Sequence, residues 1–207
     1  MASDFNFTTV GTKSGRTVTA TGSPSPPGGQ DYNAVVITLS GTTLPSPGAA
    51  VTFDAFCVDL LDTIPTGSVN LNYHFGGPGD LVPPISSAQA NDVRRLAGLY
   101  FADPNAFGQN ARAAMQMAIW SVIYPTLTFS SGTAEVNTLA AGYLANLGTT
   151  PIDWNVRFLI SDSGSQDLIV WAPVPEPATW GMLIVGFGLV GLGLRRRQRD
   201  GIASATA

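Results

Sequence analysis

Between Trp180 and Leu194 the chain runs fifteen residues, WGMLIVGFGLVGLGL, without a charge, and three arginines follow at once. Adding Ala178 and Thr179 brings the stretch to seventeen residues, the lower limit for a helix that crosses a bilayer. A helix satisfies its own backbone groups in lipid, so the many glycines are tolerated there. Trp180 suits the interface at one end, and Arg195, Arg196 and Arg197 suit the cytoplasmic side at the other. This orientation puts residues 1–174 outside the cytoplasm. A buried core helix of a soluble protein is the opposing explanation, and it fits poorly with an arginine row followed by a short polar tail.

Charge outside this segment is distributed differently. Residues 1–179 carry six basic side chains against thirteen acidic ones, a net −7. An acidic body without a basic face argues against nucleic-acid partners, because phosphate contacts need clustered lysine and arginine. About 170 residues remain once the C-terminal segment is set aside, enough for one domain with a real core. Cys57 is the single cysteine, so no disulfide within the chain is possible. Export calls for a leader, yet MASDFNFTTVGTKSGRTV lacks a basic start and an apolar run. Either the start is misassigned or a leader has been removed.

Abundant Gly, Pro, Ser and Thr with few charges favour short strands and many turns. Residues 5–10 and 16–21 alternate and predict a hairpin around Gly11-Thr12-Lys13-Ser14-Gly15. Further strands are expected at Ala34–Ser40, Val51–Leu60, Val69–Phe75, Val156–Ser161 and Leu168–Trp171, the last two as a hairpin. Three helices are expected between them: Ala88–Phe101 capped by Ser87, Ala111–Tyr124 capped by Asn110 and stopped by Pro125, and Thr133–Leu147. The fold class is therefore α+β: an antiparallel β-sandwich or barrel with an inserted helical subdomain, plus one C-terminal transmembrane helix. In domain terms, residues 1–172 form an extracytoplasmic β-rich ectodomain with its helical part at about 87–147. Residues 173–199 form a sorting and anchor segment, and 200–207 a disordered tail.

The anchor segment has a specific layout: Val174-Pro175-Glu176-Pro177, then Trp180, a glycine-rich apolar span, and Arg195-Arg196-Arg197. It resembles the PEP-CTERM sorting domain over about 25 residues. The resemblance implies processing by an exosortase, a membrane enzyme of Gram-negative bacteria that make extracellular polysaccharide. The chain would be its substrate and not an enzyme. The implied route runs from the inner membrane, with the ectodomain in the periplasm, to the cell surface or extracellular matrix. Pro175 and Pro177 hold the motif extended, as a protease cleft requires.

Phe56-Cys57 lies near a strand end, and Met115-Gln116-Met117-Ala118-Ile119-Trp120 lies on a helix. Together they resemble the two motifs of the Cys–Gln thioester domains of surface adhesins, an aromatic residue or Leu before Cys and apolar-Gln-x-x-apolar-Trp. The resemblance implies that Cys57 sulfur attacks the Gln116 side-chain amide, that ammonia leaves, and that Trp120 packs beside the bond. Such a bond would acylate an amine or hydroxyl on a partner or a polysaccharide. A thiolate is the strongest ordinary side-chain nucleophile, but a primary amide is a poor electrophile, so the fold must hold the two in contact. Gln116 and Trp120, four apart, share a helix face. The plainer alternative is a buried bystander cysteine with a solvent-facing glutamine. It corresponds to a non-covalent structural or glycan-binding surface protein.

Other chemistry finds little support. His74 is the single histidine and lacks companion ligands, so no metal and no cofactor are expected. A structural duty is expected of it. Asp54, Asp59 and Asp62 lack the glycine and terminal glutamate of a calcium loop and read as solvated turn residues. Trp120, Tyr124, Tyr143 and Trp154 are expected in core packing.

Overall fold

The computed structural model describes residues 3–22 and 29–172, together with Phe187. The chain separates into Met1–Ala172 and Pro173–Ala207, and the account below concerns the first. The predicted span apart from Phe187, the Pro175-Glu176-Pro177 motif, Arg195 to Arg197 and the 200–207 tail lie outside the described residues. Among the described residues no helix is long and apolar enough to cross a membrane.

Among the described residues seven strands form: β1 (Phe5–Gly22), β2 (Gln30–Thr43), β3 (Ala50–Cys57), β4 (Gly67–Gly76), β5 (Leu127–Ser130), β6 (Val156–Ser161) and β7 (Leu168–Trp171). Six of them pair antiparallel in a closed ring, β1-β2-β3-β7-β6-β4 and back to β1. The ring decides for a barrel over a sandwich and leaves few open edges. The short β5 adds to the far end of β1, at Thr19 to Gly22. Alternating side chains of β1 (Phe5, Phe7, Val10, Val18, Ala20) are buried, and Phe7 meets Tyr73 edge-on at 5.6 Å.

The hairpin expected around residues 11–15 is not formed. Both halves of β1 pair with one partner, β2, over Phe5 to Ala20, and the Gly-Ser residues are absorbed as a register shift between Lys13 and Arg16. A turn would have needed the two halves to face each other; a bulge only needs a residue that tolerates close backbone. Gly15 is that residue, since a Cβ there would lie 1.8 Å from the Ala34 carbonyl oxygen. Gly15→Ala is expected to lower stability by about 1–3 kcal/mol, because the clash is with main chain that cannot rotate away. A denaturation midpoint equal to wild type would contradict the bulge.

Three helices fill the segment between β4 and β6: α1 (Ser87–Ala102), α2 (Gln109–Ile123) and α3 (Ala134–Ala145). The α1 cap is Ser86, not Ser87: Ser86 N donates to Gln89 Oε1 (3.0 Å) and Gln89 N to Ser86 Oγ (3.2 Å), a capping box. Asn110 caps nothing. The α2 cap is Gly108, and Asn110 instead accepts from Arg16 and donates to Glu135. The helix ends at Ile123, ahead of Tyr124-Pro125, where the proline disfavours helical backbone.

The α2 helix packs on β1 and β2 and against α1 and α3. Every side chain from Ala113 to Trp120 is consequently buried. The β1 bulge grips its first turn, with Gln109 Nε2 donating to Gly15 O (2.7 Å) and Arg112 to Ser14 O (3.1 Å). A misfit that looks local in β1 thus sets the position of the helix carrying Gln116.

Candidate functional site

The β3 strand ends at Cys57, and its ladder with β2 ends two residues earlier, at Ala55 opposite Ile37. On its other side Cys57 pairs with Leu168 of β7. The Cys57 main chain therefore needs a partner where β2 has departed, because buried amide groups must be paired. Gln116 supplies it. Cys57 N donates to Gln116 Oε1 (2.9 Å), and Gln116 Nε2 donates to Cys57 O (2.7 Å). One side-chain amide thus stands in for a missing strand residue.

This seating brings the predicted pair together. Gln116 is fully buried and Cys57 is 4% exposed, so the glutamine does not face solvent. Its amide carbon lies alongside the residue whose sulfur would attack it. The Cys57 thiol donates to the Asp59 carbonyl. Trp120 follows one turn along α2, buried between Tyr32 (centroids 5.7 Å apart) and a stacked Phe129 (6.1 Å). Cys57, Gln116 and Trp120 form the buried end of a pocket of ≈ 360 Å³, whose wider rim includes Asp31, Asp62 and Thr63.

Burial above all pushes the Cys57 thiol up to about 12, and the Asp59 and Asp167 carboxylates add to the rise. A bond from the Asp59 backbone and the Trp120 indole pull the other way. The sulfur is therefore protonated at neutral pH and shielded from casual oxidants or thiols. Asp59 is 1% exposed, and burial is the first cause of its raised pKa. The expectation of a solvated turn residue fails for it: the loop after β3 folds inward, and Leu61 N bonds its carboxylate. Asp54 is also tied down, by Lys13 (2.6 Å) and Tyr100 (2.7 Å). Asp62 lines the pocket.

His74 Nδ1 pairs with Asp162 at 2.8 Å and does not line the pocket, a structural placement. Trp154 is 66% exposed, with Arg94 over its ring at 5.6 Å, so the expected core role is wrong for it. Tyr124 is buried, and its hydroxyl accepts from Leu60 N. Asp167, buried beside the site, was not legible as a functional neighbour, since nothing in its local pattern separates it from the turn before it. Among the described residues no cluster of metal-ligating side chains is present.

The C-terminal layout of Pro-Glu-Pro, apolar span and arginine row matches a protein-family model across its whole extent. Residues 173–197 carry the PEP-CTERM protein-sorting motif. The PEP-CTERM motif implies export, membrane anchoring and then processing by exosortase, and so marks a sorted surface protein. No curated protein matches this chain in sequence. Among solved structures, the chain is similar to the N-terminal thioester domain of a surface protein from Clostridium perfringens. The two share 15% identity and a TM-score of 0.46, over 76% of this chain and 99% of that one.

Proposed function

We propose that the body of this exosortase-sorted protein is a covalent adhesin, in which Cys57 and Gln116 condense to an internal thioester. The observation that carries the reading is the seating of the Gln116 amide on the Cys57 main chain at the buried end of an open pocket. In the condensation the Cys57 sulfur bonds to Gln116 Cδ, the Cδ–Nε2 bond breaks, and the thiol proton leaves with the nitrogen as ammonia. The Cys57 N–H, already on Oε1, polarises the carbon under attack. The thioester then acylates an amine or hydroxyl that enters the pocket. It acts once per chain, as a reagent and not an enzyme.

The chain is poor in competing amines. Lys13 is its one lysine, and Asp54 and Tyr100 hold that ammonium. Asp31 and Asp62 line the pocket, and among the described residues no lysine or arginine does. A diamine, with one ammonium held by these carboxylates, is expected to react faster than a neutral monoamine of equal reactivity. Asp62→Asn should shrink that preference by about fivefold or less, the size of one solvated charge contact. Competition labelling at two salt concentrations reads it, and an unchanged preference would count against the rim's role.

The second reading is a non-covalent structural or glycan-binding surface protein with an inert cysteine. It is favoured by the pairing of both ends of the Gln116 amide with the Cys57 main chain, which a purely structural glutamine would also achieve. Methylamine separates the two. The thioester reading expects methylamine on Gln116 and one freed Cys57 thiol, with no label in Cys57→Ala. A wild-type chain that takes up no amine and titrates one thiol beforehand would leave the structural reading standing.

A further inference from the structure

Trp120 Nε1 is the one buried side-chain polar atom among the described residues that has no hydrogen-bond partner. Buried donors are almost always paired, and an exception asks for a reason. Packing does not supply one. The ring sits 2% exposed between Tyr32 and Phe129, where a phenyl ring would also exclude water and bring no orphaned N–H. Trp120 lines the pocket end shared with Cys57 and Gln116, and its indole draws the Cys57 thiol's pKa down. The thiol proton is meanwhile turned away, onto the Asp59 carbonyl. A buried donor with no partner of its own thus shares the pocket end with the sulfur.

We propose that the Trp120 indole N–H is a catalytic donor to the Cys57 sulfur, stabilising the thiolate that departs when a nucleophile opens the thioester. This role rests on the thioester reading above. An amine attacks Gln116 Cδ, the new C–N bond forms, the Cδ–Sγ bond breaks, and its electron pair goes to sulfur. The proton lost by the amine ends on that sulfur. Between those events negative charge develops in a buried site, and few groups there can meet it. Asp59 and Asp167 oppose it, and the Cys57 N–H is committed to the acyl oxygen. The same donor serves the reverse direction, when the sulfur attacks the amide. Burial makes the thiolate a poor leaving group, and the indole is one of the two groups that ease it. The design keeps the bond stable to water while leaving it openable by a seated nucleophile.

Trp120→Phe keeps an aromatic shield and removes the donor. Benzothienylalanine at 120, with sulfur in place of N–H, keeps the ring outline as well. Both are compared with wild type for thioester content by intact mass, and for the second-order rate of methylamine opening. The expected result is a thioester that still forms in both, a denaturation midpoint unchanged in the benzothienylalanine variant and lower in Trp120→Phe through the cavity it leaves, and an opening rate lower in both by about ten- to a hundredfold, below the loss typical of a full oxyanion donor. Opening as fast as wild type, or faster through lost shielding, would overturn the donor role and leave the thioester reading intact. No thioester in wild type would overturn that reading, and this role with it.

Discussion

On a Cys57→Ala background, replacing Gln116 with alanine will lower folding stability by about 2–6 kcal/mol. No thioester can form on that background, so the measurement reads the amide's hydrogen bonds alone. The substitution strips the Cys57 N–H and C=O of their partners, at 2.9 and 2.7 Å, where β2 has already left the ladder. Each buried backbone group left unsatisfied costs about 1–3 kcal/mol. The vacated volume lies in a helix stretch buried on every side, which adds a cavity term. Cys57→Ala by itself leaves the strand ladder and both amide bonds in place and should cost far less. Urea titration of the two variants gives the difference directly. A gap under half a kcal/mol would mean the amide is not seated where the structure has it.

Asp167→Asn will stabilise the body at pH 7 and leave it unchanged at pH 3. Burial, the largest cause, lifts the Asp167 carboxyl from an ordinary 3.8 to about 6, with the nearby Asp59 and Asp62 charges adding to it. The folded chain therefore binds this proton more tightly than the unfolded chain does. Stability is highest below the ordinary carboxylate value, falls as pH rises toward 6, and stays low above it. The full penalty is about 3 kcal/mol if Asp167 titrates alone. Asparagine removes the charge and keeps a carbonyl oxygen for Ser161 N, which bonds Asp167 Oδ1 at 2.9 Å. A gain of about 1–3 kcal/mol at pH 7 is expected, with the slope between pH 4 and 6 reduced. A wild-type stability that is flat from pH 4 to 7 would refute the placement of this carboxylate.

Much of the barrel is legible in the alternation of apolar and polar residues. The runs at 34–40, 69–75, 156–161 and 168–171 become strands, and 51–60 does so as far as Cys57, from β-branched content and from alternation where one face is half-buried. Gly11 to Gly15 misleads because glycine and serine serve a turn and a bulge equally, and the choice is made by β2, which pairs with both flanks. The four residues of β5 carry no pattern of their own and form a strand because β1 offers an edge. In α2 the apolar residues surround the helix, so periodicity assigns no face to Gln116. The Cys57–Gln116 pairing was visible through two short motifs. Its hydrogen-bond geometry was not, because it depends on β2 leaving the ladder at Ala55. The buried acids Asp59 and Asp167 escape for a similar reason: their burial comes from loops that close over them, and loop residues look solvated in a sequence.

Two numbers from one sample bear most directly on the covalent account: the intact mass of the purified native chain, and its thiol content in denaturant without added amine. The account predicts a mass one ammonia below the sequence mass and no titratable thiol. A full sequence mass with one thiol per chain would contradict it.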